Sequence, residues 1–254
     1  MGVVDAYIAA ARAVLERIAA TQGPALEEAA QRCATAIATD RLVHLFGTGH
    51  SRMAVEELWP RYGSFPGFHP IVELSMTFHN QVTGANGQRQ AMFIENVPGL
   101  ARAILRNFEL DPADVMVVFS TSGTNVVPVE VALAAREQGL FTIGVTSVEH
   151  CRRAQARQPE GKKLLDACDL VLDNAAPPGD AMVRVPGLRQ PVGPGSTIGN
   201  TVVVNALKCR IAEILTERGQ PPLVLTSSLE VGEQESRRLF DAAYDEHRRR
   251  VRRL

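Results

Sequence analysis

Short, continuously apolar runs, spaced by stretches of helical character, are the feature that most constrains this chain of 254 residues. Arg41-Leu-Val-His-Leu-Phe46, Asp114-Val-Met-Val-Val-Phe119, Phe141-Thr-Ile-Gly-Val145 and Asp169-Leu-Val-Leu172 read as strands, and Gly67 to Glu73 as a further short one. A strand with one wet face alternates polar and apolar residues; these do not. Unbroken runs belong to parallel strands covered on both faces, and helices between them supply the crossovers. Right-handed crossovers then give a doubly wound α/β fold with a five-stranded parallel sheet in a three-layer arrangement.

The helices carry their own punctuation. Residues 3–39 predict two helices broken at Gly23-Pro24, with Val4, Ile8, Val14, Leu15 and Ile18 at helical spacing in the first. A helix should follow Ser51 and run to about Tyr62. Residues 80–92 read as a polar loop, and Pro98 as the start of a helix of about ten residues. Val126 to Gln138 is a helix closed by Gly139; Thr197 to Arg218 is another, closed by Gly219 and Pro221-Pro222, with Ser196 or Thr197 as its cap. The expected organisation is a helical hairpin over 1–40, an α/β domain over 41–220 and a tail over 221–254. The tail, ending Arg248-Arg-Arg-Val-Arg-Arg253, reads as a solvated helix.

Composition excludes several classes. Hydrophobic residues make up 45% and charged residues 22% of the chain, which is enough apolar surface for a packed core and rules out whole-chain disorder. A formal net charge of −1 argues against general capture of nucleic acid. No apolar run approaches the ~18–20 residues that span a bilayer, and Asp5, Arg12 and Glu16 break up any signal-peptide core. Cys33, Cys151, Cys168 and Cys209 form no Cys-x-x-Cys pair and read as reduced thiols, as in the cytoplasm. The six histidines lack paired-ligand spacing, so neither a metal nor another cofactor is expected.

In a doubly wound fold the ligand lies at the carboxyl ends of the strands. Ser120-Thr-Ser-Gly-Thr-Asn125 occupies such an end, between a strand and a helix. Its hydroxyls and unpaired backbone N–H groups would converge where a helix begins, which suits an anion, and phosphate above all. Gly47-Thr-Gly-His-Ser51 repeats the arrangement after the first strand. It lacks the third glycine of a dinucleotide fingerprint and the Gly-Lys-Ser/Thr of a P-loop.

The run Phe119-Ser-Thr-Ser-Gly-Thr-Asn125, the helix with Ala132 and Ala134-Ala135, and Gly139-Leu-Phe-Thr-Ile-Gly-Val-Thr146 together resemble the signature of the sugar isomerase (SIS) domain family. Leu165-Asp-Ala-Cys-Asp-Leu-Val-Leu172 is similar to a later strand of the same family. The resemblance runs from about residue 25 to 218. It implies a site for the phosphate of a sugar phosphate, built by Ser51, Ser120, Ser122, Gly123 and Thr124, with Asn125 where most relatives have Thr or Ser. It also implies a homodimer or homotetramer.

An aldose–ketose isomerase needs a base to move a proton between neighbouring carbons and an acid to polarise the carbonyl. His69-Pro70-Ile-Val-Glu73 is similar to a His-Pro-x-Glu segment of arabinose-5-phosphate isomerases, with one extra residue, and makes Glu73 a candidate base with His79 as partner. Glu95-Asn-Val-Pro-Gly-Leu-Ala resembles a segment of N-acetylmuramic acid 6-phosphate etherases and makes Glu95 the other candidate. His50, in the first glycine turn, is a second candidate acid. The expectation is a sugar-phosphate isomerase, with an etherase-like lyase or a non-catalytic sugar-phosphate sensor as alternatives.

Overall fold

The computed structural model describes residues 2–77 and 87–254. In chain order the elements are α1 (Val3–Thr21), α2 (Gly23–Ala38), β1 (Val43–Gly47), α3 (Arg52–Leu58), β2 (Phe68–Ile71), α4 (Leu74–Thr77), α5 (Gly87–Ile94), α6 (Leu100–Leu105), β3 (Val115–Phe119), α7 (Val126–Glu137), β4 (Phe141–Thr146), α8 (Val148–Arg153), α9 (Leu164–Ala167), β5 (Leu170–Asp173), β6 (Ala181–Val183), β7 (Val192–Pro194), α10 (Ser196–Glu217), α11 (Ser228–Val231) and α12 (Glu233–Arg250). The five long strands form one parallel sheet in the order β2-β1-β3-β4-β5, in register from Val43↔Phe68 and Val43↔Val115 onward. This is the doubly wound arrangement read from the apolar runs.

The strands show why those runs are unbroken. On β3, Val115, Val117 and Phe119 pack towards α1, α2, α3 and α10, while Met116 and Val118 pack towards α6, α7 and α9. Successive side chains enter opposite layers, and both layers are dry. Among the described residues no helix is long and apolar enough to cross a membrane. The four cysteines are unpaired, and three of them are buried.

Several local expectations need correction. The helix after the first turn stops at Leu58, because Pro60 offers no N–H to continue it. Residues 87–92 of the expected loop belong to helix α5, which buries Ala91 and shows Gln88 to solvent; residues 80–86 lie outside the described residues. The helix expected from Pro98 is only Leu100–Leu105, since Gly99 sits in the left-handed region at φ 84. In α1 only Val14 and Ile18 are buried; Val4, Ile8 and Leu15 are exposed, and Tyr7 donates to the Pro194 carbonyl.

The tail is docked rather than frayed. Ala243 of α12 enters the main core, and Tyr244 and His247 lie against Trp59. Arg250 donates to the carbonyls of Ile37 and Arg41. Arg253 reaches Asp114 at 2.7 Å. Asp114 is buried at the amino end of the sheet, and also accepts from the amides of Leu42 and Asp111 and faces His44 Nε2 at 3.3 Å. Burial would raise its carboxyl, but His44 and the two amides outweigh burial and lower it.

This cluster makes the fold acid-sensitive. His44 Nδ1 and His69 Nδ1 are 2.9 Å apart, so only one of the two nitrogens can carry a proton. Burial, with His44 beside it, pushes His69 down to about 3. The unfolded chain takes up a proton at about pH 6.5 that the native chain refuses. Stability is therefore full above that pH and is lost as pH falls towards the folded value, by at most ~1.4 kcal/mol per pH unit from this group. Urea melts at descending pH should show that slope, and His69→Leu should flatten it. An unchanged slope in the variant refutes the assignment to His69.

Candidate functional site

Two turns form the floor of a cleft at the carboxyl edge of the sheet. They follow β1 and β3, which are neighbours although another strand separates them in sequence. That is where the winding reverses and a crevice opens. In the first turn the chain folds back so tightly that a Cβ on Gly47 would lie 2.9 Å from the Ser51 carbonyl oxygen. Gly49 is left-handed at φ 55, and Ser51 N–H donates to Thr48 O. In the second turn Gly123 is left-handed at φ 63, and a Cβ there would meet Cys151 Sγ at 2.5 Å. Gly123 N–H donates to the Ser120 carbonyl and faces Ser120 Oγ at 3.2 Å. Thr124 donates to Ser122 Oγ through its N–H and its hydroxyl. Ser122 accepts both bonds, so its own hydroxyl proton remains to be donated.

Glu95 closes one side of the crevice from the end of α5. It is only 8% exposed. Thr48 Oγ1, from the first turn, donates to Glu95 Oε2 at 2.5 Å, and Val127 N–H, past the second turn, holds the Glu95 carbonyl at 2.9 Å. The carboxylate is thus fixed between the two turns. Burial pushes its pKa above the ordinary carboxylate value, partly offset by hydrogen bonds from Thr48 and Asn125 and by the Arg157 charge. Arg157 Nη1 donates to Asn125 Oδ1 at 3.0 Å, which leaves the Asn125 NH2 for Glu95.

Further lining comes from the region after β4 and β5. His150 lies in the first turn of α8, where its N–H donates to Ser147 Oγ, and Gly179 N–H donates to His150 Nδ1 at 3.3 Å. Asp180 accepts from Gly195 N–H, Ser196 N–H and Ser196 Oγ at 2.7 to 3.0 Å. The start of α10 is therefore capped by Asp180 from the preceding segment, not by the expected Ser196 or Thr197 side chain. The enclosed volume is about 470 Å³, within the usual range for a small-molecule site. A groove of about 520 Å³ between α3 and α12 is slightly larger, but it is lined by Met53, Pro60, Tyr62, Phe240 and Tyr244. Of its two carboxylates, Glu57 is held by Arg61 and Asn205, and Glu56 faces Arg52 at 3.4 Å. The smaller cleft has the converging polar groups.

Of the residues singled out by sequence, His50, Ser51, Glu95, Ser120, Ser122 and Asn125 line this cleft. Gly123 and Thr124 are buried behind it and shape the turn. Glu73 is half-buried after β2 and is not among the lining residues. Its carbonyl accepts from Met76 N–H and Thr77 Oγ1. His79 lies outside the described residues. Sequence reasoning passed over His150 and Asp180, which both line the cleft. His150 had a signal, since it follows the β4 run by one short turn, at the functional edge. Asp180 had none; a Pro-Pro-Gly-Asp segment reads only as a turn.

Comparison with known proteins supports the same architecture. The family model described as SIS domain matches residues 6–147. A UPF0309 protein of Geobacillus kaustophilus is 33% identical over 225 residues, covering 88% of this chain and 87% of its own. A UPF0309 protein of Caldanaerobacter subterraneus is 31% identical over 255 residues, covering 99% and 100%. Among solved structures, a phosphoheptose isomerase from Francisella tularensis superposes with a TM-score of 0.51 at 14% identity, over 83% of this chain and 96% of that one. The phosphoheptose isomerase of Neisseria gonorrhoeae gives 0.50 at 14% identity, over 83% and 97%. At such identities the likeness is one of fold.

Proposed function

The chain belongs to the SIS domain family, and from that premise we propose that it binds a sugar phosphate and interconverts its aldose and ketose forms. The observation that carries this reading is the placement of Glu95. A buried carboxylate with a raised pKa stands between two hydroxyl-rich turns, in a cleft large enough for a sugar phosphate. The phosphate lies on Ser51, Ser120 and Ser122, with Gly123 and Thr124 shaping the turn and Asn125 beside it. Glu95 then reaches a carbon further along the sugar. A base poised nearer to neutrality than an ordinary carboxylate suits removal of a proton next to a carbonyl. Glu73 does not line the cleft, which favours Glu95 of the two candidates; His50 lines it beside Ser51.

The same carboxylate favours a second reading. The Glu95 segment is the one that resembles the etherases, and an etherase-like lyase also begins by removing a proton beside a carbonyl. Proton NMR in heavy water separates the readings. The probes are phosphates of a hexose, a pentose, a heptose and an N-acetylhexosamine. Exchange of the α-proton with a rearranged sugar supports the isomerase; exchange with an expelled fragment supports the lyase. Binding without exchange across the panel leaves a sensor and overturns both enzyme readings.

The phosphate turn has its own test. Ser122→Ala should weaken binding of the sugar phosphate by ~1–3 kcal/mol, as for a lost charge-assisted hydrogen bond, and leave the phosphate-free sugar unaffected. Equal calorimetric affinities for the sugar phosphate before and after the change refute the assignment of Ser122.

A further inference from the structure

An isomerase of this kind needs a hydrogen-bond donor at the carbonyl oxygen, on the side of the substrate away from the base. We propose that His150 is that donor, acting as a neutral imidazole whose tautomer the fold sets in advance. The proposal rests on the isomerase reading above and adds a residue to it.

The tautomer is set at Gly179. Its N–H donates to His150 Nδ1 at 3.3 Å. A nitrogen that accepts a bond carries no proton, so in this geometry the ring proton sits on Nε2. With Nδ1 engaged by Gly179, Nε2–H is the donor left to the cleft that His150 lines. The support around it is stiff. Gly179 and Asp180 are both left-handed, at φ 82 and 68, and that double turn aims one N–H at His150 and one carboxylate at the start of α10. Asn174, Ala175 and Ala176, just upstream, are almost completely buried. Ser147 Oγ bonds the Ala176 carbonyl at 2.6 Å and also accepts the His150 N–H, so the helix bearing His150 and the segment bearing Gly179 are joined through one hydroxyl.

The ring also lies where the reaction needs it. Glu95 enters from α5, beside the turns that follow β1 and β3. His150 enters after β4, and Asp180 and Ser196 stand beside it. The cleft that contains the two turns is thus lined by a carboxylate from one segment and by a ring donor from another.

Glu95 takes the proton from the carbon next to the carbonyl. The electron pair of that bond becomes the carbon–carbon double bond, and the carbonyl π pair moves onto oxygen, where His150 Nε2–H hydrogen-bonds the developing charge. The proton of the neighbouring hydroxyl crosses to that oxygen, the oxygen it leaves re-forms a carbonyl with its own carbon, and the pair of the carbon–carbon double bond takes the proton back from Glu95 at the former carbonyl carbon. His150 keeps its own proton throughout. A preorganised donor of this type acts most strongly where charge develops, and its removal typically costs about 10²–10³-fold in rate.

His150→Ala and His150→Gln are the variants, and the probe is whichever phosphate of the panel the unaltered protein exchanges in heavy water. The Gln side chain can place an N–H close to the position of Nε2. Expected results are a loss of about 10²-fold or more in exchange rate for Ala, at least tenfold recovery for Gln, and sugar-phosphate affinity within about threefold for both. An Ala variant that exchanges as fast as the unaltered protein overturns the proposal and leaves the isomerase reading standing. Ala and Gln variants that are equally slow also overturn it, because the donor is then not what matters. If the unaltered protein exchanges no member of the panel, the isomerase reading fails and the role of His150 fails with it.

Discussion

Glu95→Gln should reduce α-proton exchange by about 10³-fold, inside the range for loss of a positioned general base, and leave sugar-phosphate affinity nearly unchanged. Gln has the same length, and its carbonyl oxygen can still accept the Thr48 hydroxyl that now meets Glu95 Oε2 at 2.5 Å. The crevice is therefore kept while proton acceptance is lost. Glu95→Asp tests the geometry separately. Shortening by one methylene withdraws the carboxylate by more than an ångström, enough to cost about 10²-fold when the reacting atoms must be aligned. The pH profile carries a third signature. Exchange should rise with pH as Glu95 loses its proton, with a midpoint above the ordinary carboxylate value, because burial favours the neutral form. Arg157→Ala removes a charge that lowers this pKa and should move the midpoint higher still. If Glu73→Gln stops exchange and Glu95→Gln does not, the base is Glu73.

The choice between those two carboxylates shows where sequence reading reaches its end. The strands were legible because β1, β3 and β4 are buried on both faces, and such burial leaves an unbroken apolar run. The two turns were legible because glycine at left-handed φ and clustered hydroxyls are local requirements, met by Gly49, Gly123 and the serines around them. Glu95 against Glu73 is not a local matter. Both follow a strand or helix by a residue or two, and only the path of the chain across the sheet carries Glu95 to Thr48, which is 47 positions earlier.

Short elements were lost for a different reason. β6 and β7 are three residues each, and of these only Val183 is buried, so no period can be counted in them. Helix α5 exposes Met92 and Phe93 as well as Gln88-Arg-Gln90 and fully buries Ala91 alone, and a single alanine is too weak a signal for a buried face. The tail misled through its charge. Its arginines read as solvated, yet Arg253 bonds a buried carboxylate and the side chain of Arg250 is 9% exposed. A long charged side chain can lay its stem on apolar surface, and composition does not reveal which ones do.

Gly199→Ala should produce the largest loss of stability. Gly199 lies inside α10, where alanine would ordinarily stabilise the helix by about 1 kcal/mol over glycine. Here a Cβ would fall well inside the contact distance of the Asn174 carbonyl oxygen, and backbone cannot swing aside as a side chain can. Asn174 is fully buried and bound on several sides: its N–H donates to Thr146 O, its Nδ2 to Asn200 Oδ1, and its Oδ1 accepts from Ala176 N–H. The helix must therefore move. It carries Val203, Val204, Leu207 and Ile211, which form the core against α2 and the sheet. Overpacking of this kind costs ~3 kcal/mol or more, which for a chain of this size lowers Tm by about 6–12 °C. Gly23→Ala is the control, since nothing lies within 4 Å of a Cβ there, and its melting temperature should hardly move. The displacement also has a functional reading. Ser196 and Thr197 open the same helix and line the cleft, and Asp180 binds its first turn. Any Gly199→Ala protein that still folds should bind sugar phosphate more weakly, although the substituted position lies outside the lining. A variant as stable as the parent, or more so, would mean that α10 does not approach β5 this closely, and that the wall carrying Asp180 and Ser196 stands elsewhere.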